Sequence, residues 1–195
     1  MTEQETVRKV KRVFIASPVD LAKERKRFPD ILEKLNRLKA HAMGFDLKPL
    51  GWEDALPGKG RPQEVINKDV EQCDLFVMLL WNRWGTPPGG SSAYTSGTEE
   101  EFELARKLDK QIFLYFRDVL EEMLADAGPE LERVLGFRKK IEAEKQLLFS
   151  RYRAPTQWDE QVMEHIARWL DGFQPIPSSP SARIPPEVQA RISEL

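Results

Sequence analysis

Hydrophobic positions along this chain switch repeatedly between two periods. Residues 13–17, VFIAS, are a short apolar, β-branched run closed by Pro18, which predicts a buried strand followed by a turn. From Asp20 to about His41 the period becomes 3.6. Leu21, Phe28, Ile31, Leu32, Leu35 and Leu38 fall on one face and charged residues on the other. Asp20 is placed to cap that helix, with Lys23 where a capping box has Glu. FDLKPLGW (45–52) predicts a second strand, and a Gly/Pro-bearing loop leads to a helix over about 62–72 with Pro62 in its first turn.

DLFVMLLW (74–81) is apolar throughout, the pattern of a central strand covered on both faces. The loop NRWGTPPGGSSAYTSG and a helix opening on Glu99, Glu100 and Glu101 follow. QIFLYF (111–116) predicts a fourth strand, 118–145 a long charged helical region, and QLLFSRY (146–152) a fifth strand. A last helix, capped by Thr156 with Asp159, carries Trp158, Val162, Ile166, Trp169 and Leu170. Five strands alternating with helices predict an α/β fold: a flavodoxin-like three-layer α/β/α arrangement of a five-stranded parallel sheet, order 2-1-3-4-5. Residues 1–11 read as a lead, 12–173 as the domain, and the Pro/Ser-rich 174–195 as a linker or tail.

In such a sheet, ligands sit past the carboxyl ends of the strands where strand order reverses. The first strand supplies Ser17, Pro18 and Asp20 there; the second Trp52 and Glu53; the third Trp81, Asn82, Arg83, Trp84 and Gly85. The long loop ends at Ser96, Gly97 and Thr98, and Glu101 follows within the first turn of the next helix. Carboxylates, an arginine, hydroxyls and tryptophans gathered at one edge suit a small-molecule pocket. Each also has a plainer reading. Trp81 and Trp84 pack under the loop, Arg83 pairs with Glu53 or Asp74, Asp20 caps its helix, and the three glutamates complement a helix dipole, with Ser96 or Thr98 as cap.

Composition narrows the partners. Of 195 residues, 41% are hydrophobic and 32% charged, enough for one domain with a proper core. Thirty Lys+Arg against 32 Asp+Glu leave a net charge of -2, which gives no footprint for nucleic-acid binding. The single cysteine, Cys73, reads as a small core residue and fits a cytoplasmic location. The two histidines, His41 and His165, have no Cys or His neighbours in sequence with which to form a zinc site, so no metal is expected. No apolar run approaches the roughly 20 residues that cross a bilayer, and no membrane partner is expected.

Three stretches resemble a known family, the domain of unknown function DUF4062. VFIASPVDLAKER resembles its opening V-F-I-S-S-T-x-x-D-L-x-x-E-R, WNRWG its G-x-R-Y-G element, and YTSGTEEEFELA its S-Y-T-x-x-E-Y-x-x-A element. Glu53 falls where that family has an acidic residue after the second strand, and the resemblance runs from about residue 12 to 173. Pro18-Val19 replaces the usual Thr and aromatic, Trp84 replaces Tyr, and the loop is richer in glycine.

The resemblance implies a TIR-like fold, related also to nucleoside 2-deoxyribosyltransferases, whose G-T-x-x-E pattern supplies a nucleophilic glutamate. Gly97, Thr98 and Glu101 match that pattern, so the resemblance makes Glu101 the catalytic candidate. It makes Ser17, Asp20, Glu53, Arg83, Trp84, Gly85 and Thr98 the ligand-binding candidates. The implied activity is cleavage of the N-glycosidic bond of NAD or a related nucleotide, as a signalling or defence effector and with no required cofactor. The alternatives are a non-catalytic, self-associating interaction module attached to an NTPase or repeat protein, and a nucleoside deoxyribosyltransferase-like enzyme.

Overall fold

The structure, a computed structural model, describes residues 8–51, 62–90 and 92–176. Five strands form one parallel sheet: β1 (Lys9–Ala16), β2 (Phe45–Leu50), β3 (Leu75–Leu80), β4 (Gln111–Arg117) and β5 (Phe149–Tyr152). Their order is β2-β1-β3-β4-β5, the order expected of a flavodoxin-like sheet. β3 pairs with β1 on one side, Val13 facing Leu75, and with β4 on the other, Leu75 facing Gln111. All six of its residues are buried, because helices cover both faces.

Side chains alternate across the sheet and divide the core in two. Val13, Ile15, Leu75, Val77, Leu79, Tyr115 and Tyr152 meet α1 (Ala22–Leu35) and α6 (Pro155–Asp171) on one face. Phe14, Phe76, Met78, Leu80, Leu114 and Phe116 face the opposite way. There they meet α2 (Pro62–Gln72), α3 (Gly97–Lys107) and α5 (Pro129–Glu144). A short α4 (Glu121–Ala125) precedes α5, so the long charged helical region is made of two helices.

Several local expectations are corrected by tertiary contacts. Leu38 is not on the buried face; it is 68% exposed, because Asn36–Ala40 winds as a wider π-turn and shifts the helical phase. That turn has a purpose. The Asn36 amide donates to Leu47 O at 3.0 Å and accepts from Leu47 N at 2.7 Å, fixing the edge strand β2. Thr156 and Asp159 do not cap α6. Ala154 is its N-cap without a side-chain bond, and Asp159 pairs with Arg27 of α1 instead. β5 starts at Phe149, leaving Leu148 93% exposed ahead of it. Among the described residues, no helix is long and apolar enough to cross a membrane.

Trp158 joins α6 to the sheet. Fully buried, its ring lies 6.1 Å from Phe28, 6.3 Å from Tyr115 and 6.5 Å from Tyr152. Trp158→Ala empties this junction and should cost about 3–5 kcal/mol of unfolding free energy. Urea denaturation would show a lowered midpoint with an unchanged slope. A loss under about 1 kcal/mol would mean the junction closes without it.

Candidate functional site

The site begins where the chain leaves β1 and β3. Past β1, a short 3-10 turn, Val19–Leu21, precedes α1. Asp20 lies in that turn but is not the helix cap; its Oδ2 accepts from the backbone N–H groups of Asn82 (3.0 Å) and Arg83 (3.1 Å). Glu130, at the start of α5, continues the series. Its Oε2 accepts from the N–H groups of Trp84 (3.0 Å) and Gly85 (3.1 Å). Four successive amides are thus tied to two carboxylates, and the loop after β3 is fixed in place. Gly85 has φ +100°, a backbone conformation that L side chains rarely adopt, so this turn is built for glycine.

The turn after β1 wraps around a buried guanidinium. Arg25 Nη1 donates to Ser17 O (2.9 Å), Ser17 Oγ (2.9 Å) and Pro18 O (3.3 Å). Burial pushes the Asp20 carboxyl above its ordinary range, although the two amides and nearby Arg83 pull it back toward ionisation.

The three consecutive glutamates of α3 do three different things. Ser96 is the N-cap, its Oγ accepting from Glu99 N at 3.1 Å. Glu99 returns to Thr95, accepting from its N–H (2.6 Å) and hydroxyl (2.8 Å), so these two residues provide the capping. Glu100 is buried and accepts from Asn67 Nδ2 (2.8 Å) and Ser92 Oγ (2.7 Å). Glu101 takes no part in capping. Its Oε1 accepts from Gln63 Nε2 of α2 at 2.9 Å, and the residue is only 8% exposed.

Glu101 lines a cleft of about 370 Å³ at the carboxyl edge of β1 and β3. Ser17, Arg25, Gln63, Arg83 and Glu130 share its walls, and Pro87 and Pro88 belong to its apolar part. Burial pushes the Glu101 carboxyl up to about 7, with the nearby negative Glu100 adding to the rise. The Gln63 hydrogen bond and the Arg25 charge oppose it. A carboxyl that titrates near neutrality can hold or release a proton at physiological pH.

Of the site residues expected from the sequence, Ser17, Arg83, Gly85, Thr98 and Glu101 lie on this one cleft. Asp20 stands behind it and holds the loop. Trp84 faces the core: its ring packs 5.2 Å from Phe137 and its Nε1 donates to Thr95 Oγ1 at 2.6 Å, so it offers no stacking surface to the cleft. Glu53 lies outside the described residues. Arg25, Gln63 and Glu130 were not singled out by sequence reasoning. Arg25 had a signal in the D-L-x-x-E-R stretch; Gln63 and Glu130 sit at helix starts without any motif. Among the described residues, no group of His, Cys, Asp and Glu could hold a metal ion.

A model of one family, described as "Domain of unknown function (DUF4062)", matches residues 12–167. No curated protein matches the sequence. Several solved structures resemble the fold at low identity. Elongation factor SelB of Methanococcus maripaludis, bound to the GTP analogue GppNHp, is 15% identical over 87% of this chain and 35% of its own, with a TM-score of 0.51. The Clostridium botulinum CMP N-glycosidase BcmB is 16% identical over 78% of this chain and 98% of its own, TM-score 0.41. The RPS4–RRS1 TIR domain heterodimer is 12% identical over 84% of this chain and 97% of its own, TM-score 0.45. The likeness to SelB bears on the α/β fold alone.

The burial of Glu101 has a consequence for stability. Its folded-state pKa is raised from an ordinary 4.5 to about 7, so the folded state binds the proton more tightly than the unfolded chain. The stability it contributes is fully present below about pH 4.5 and lost as pH rises through about 7. Glu101→Gln removes that dependence. Relative to wild type, the variant should gain stability between pH 5 and pH 8, by at most about 3 kcal/mol. Denaturant unfolding at both pH values measures this, and parallel stability curves for the two proteins would contradict it.

Proposed function

The chain belongs to the DUF4062 family, and on that footing we propose that its cleft takes a nucleotide-type small molecule and cleaves an N-glycosidic bond, with Glu101 as the catalytic carboxylate. One observation carries this reading. Glu101 is a buried carboxylate on the cleft wall, released from helix capping because Ser96 and Glu99 supply it.

Breaking a C1′–N bond builds positive charge on the sugar, and a carboxylate beneath the ring stabilises that charge or attacks C1′. In hydrolysis the base departs with the bonding electron pair. Water forms the new C1′–O bond, and its proton goes to the base or to Glu101. Burial strengthens the carboxylate's effect, because little solvent screens it. Arg83 is exposed at the cleft and suits a phosphate, which its planar guanidinium can grip through two N–H groups. Ser17 and Thr98 supply hydroxyl groups for a ribose, and the prolines supply apolar surface in place of a tryptophan. NAD or a related nucleotide fits this division, and the chemistry needs no cofactor beyond water.

The test is turnover on NAD, NADP, ATP and free nucleosides, the nucleosides also with an acceptor base, using dilute protein and protein concentrated enough to self-associate. Release of nicotinamide or a free base is expected. Glu101→Gln should lower the rate by roughly a hundredfold or more. Glu99→Gln, which alters only the cap, should stay within about threefold, as a cap is worth about 1 kcal/mol in stability rather than in rate. Equal losses from both substitutions, or no turnover of any substrate by wild type, would overturn the catalytic reading and leave an interaction module.

A further inference from the structure

Gln63 stands in the first turn of α2, buried, with its amide against α3. Both hydrogens of its Nε2 are directed: one to Glu101 Oε1 at 2.9 Å, the other to Asn67 Oδ1 at 3.2 Å. Asn67, one turn later, passes its own amide N–H to Glu100 Oε1 at 2.8 Å, and Ser92 Oγ donates to the other Glu100 oxygen at 2.7 Å. Every member has one orientation that satisfies it. Turning the Gln63 amide over would set its oxygen against a carboxylate oxygen and break both of its bonds.

Gly97 completes the arrangement. A Cβ added there would lie 2.6 Å from Gln63 Oε1, so any larger residue at the start of α3 displaces the amide end of Gln63. The two helices therefore meet through a polar ladder between α2 amides and α3 carboxylates. The ladder uses one oxygen of Glu101. The other, Oε2, makes no hydrogen bond among the described residues, and Glu101 lines the cleft.

We infer that Gln63 is the positioning residue of Glu101, holding Oε1 so that Oε2 is presented to the cleft, with Asn67 and Gly97 fixing the Gln63 amide in turn. The inference rests on the catalytic reading of Glu101 for its consequence in rate, but not for its geometry. Gln63 can only donate to this carboxylate, so it favours the ionised form. The other charged groups acting on Glu101 are Glu100 of α3, which opposes ionisation, and Arg25 of α1, which favours it.

Two variants disturb the contact by different routes. Gln63→Met keeps length and bulk but has no N–H. Gly97→Ala keeps Gln63 and pushes its flexible end away. The readout is the carboxyl 13C titration of Glu101, identified by its loss in Glu101→Gln. In both variants it should move to higher pH, by about one unit. In turnover assays kcat should fall roughly tenfold, with KM within about twofold. The acid limb of the pH–rate profile should rise with the titration, because ionised Glu101 becomes scarcer. A titration that stays in place in both variants, even with a lowered melting temperature, overturns the inference and leaves Gln63 a packing residue. If the titration moves but wild type turns over no substrate, the positioning role stands and the catalytic reading falls. The two ideas therefore fail separately.

Discussion

Four consecutive backbone N–H groups, those of Asn82, Arg83, Trp84 and Gly85, are held by two carboxylates from distant parts of the chain. The rest of the cleft depends on this. The loop after a buried central strand has amides that no ladder satisfies, and leaving them unpaired near the core costs free energy. Asp20 answers the first pair and Glu130 the second, so the turn that leads into α1 and the start of α5 grip one segment between them. Once the segment is fixed, Thr86 O accepts from Gly97 N at 3.1 Å and sets where α3 begins. The position of Glu101 follows from that start.

The stretch DLAKER shows how three of the four charged residues in one helical entrance are divided among neighbours. Asp20 holds the loop after β3. Glu24, fully buried, accepts from Tyr152 OH of β5 at 3.1 Å and from Arg117 of β4 at 3.3 Å, and that guanidinium lies 4.0 Å over the Trp81 ring. Arg25 turns the other way, into the turn after β1 and the cleft wall. Buried charges are expensive unless paired; Glu24 and Arg25 are buried and Asp20 half-buried, and each has its partner on a different element. The result ties β1, β3, β4 and β5 together at their carboxyl ends.

Burial changes what Glu101 is. An exposed glutamate in a helix's first turn is ionised and contributes a little through the helix dipole. Covered by α2 and the loop, the same side chain resists charging, and its neighbours decide the balance. Lys11, at the amino end of the sheet, is the counterexample. It too is buried, but it pairs with Asp74 at 3.3 Å and lies 4.0 Å from the Phe173 ring centroid. The same cost of burial is met by an ion pair in one place and shows as a raised carboxyl pKa in the other.

The alternation of apolar periods determined the five strands and the two-sided burial of β3. Those patterns record how many faces of an element are covered, and that is a local property of sequence. The cleft edge was legible too, since Ser17, Arg83, Gly85, Thr98 and Glu101 all follow strand ends or open the next helix. The tertiary structure alone decided the roles within that edge. Spacing of 100° per residue separates Glu99, Glu100 and Glu101 around α3 but does not say which direction holds water, an amide or a cleft. That was set by Gln63 and Asn67 of α2, more than thirty residues earlier. Trp84 and Asp20 turned to other tasks for the same reason: Phe137 and the loop amides reach them only after the chain has folded. A side chain's partner is a contact between distant segments, and hydrophobic periodicity carries no information about it.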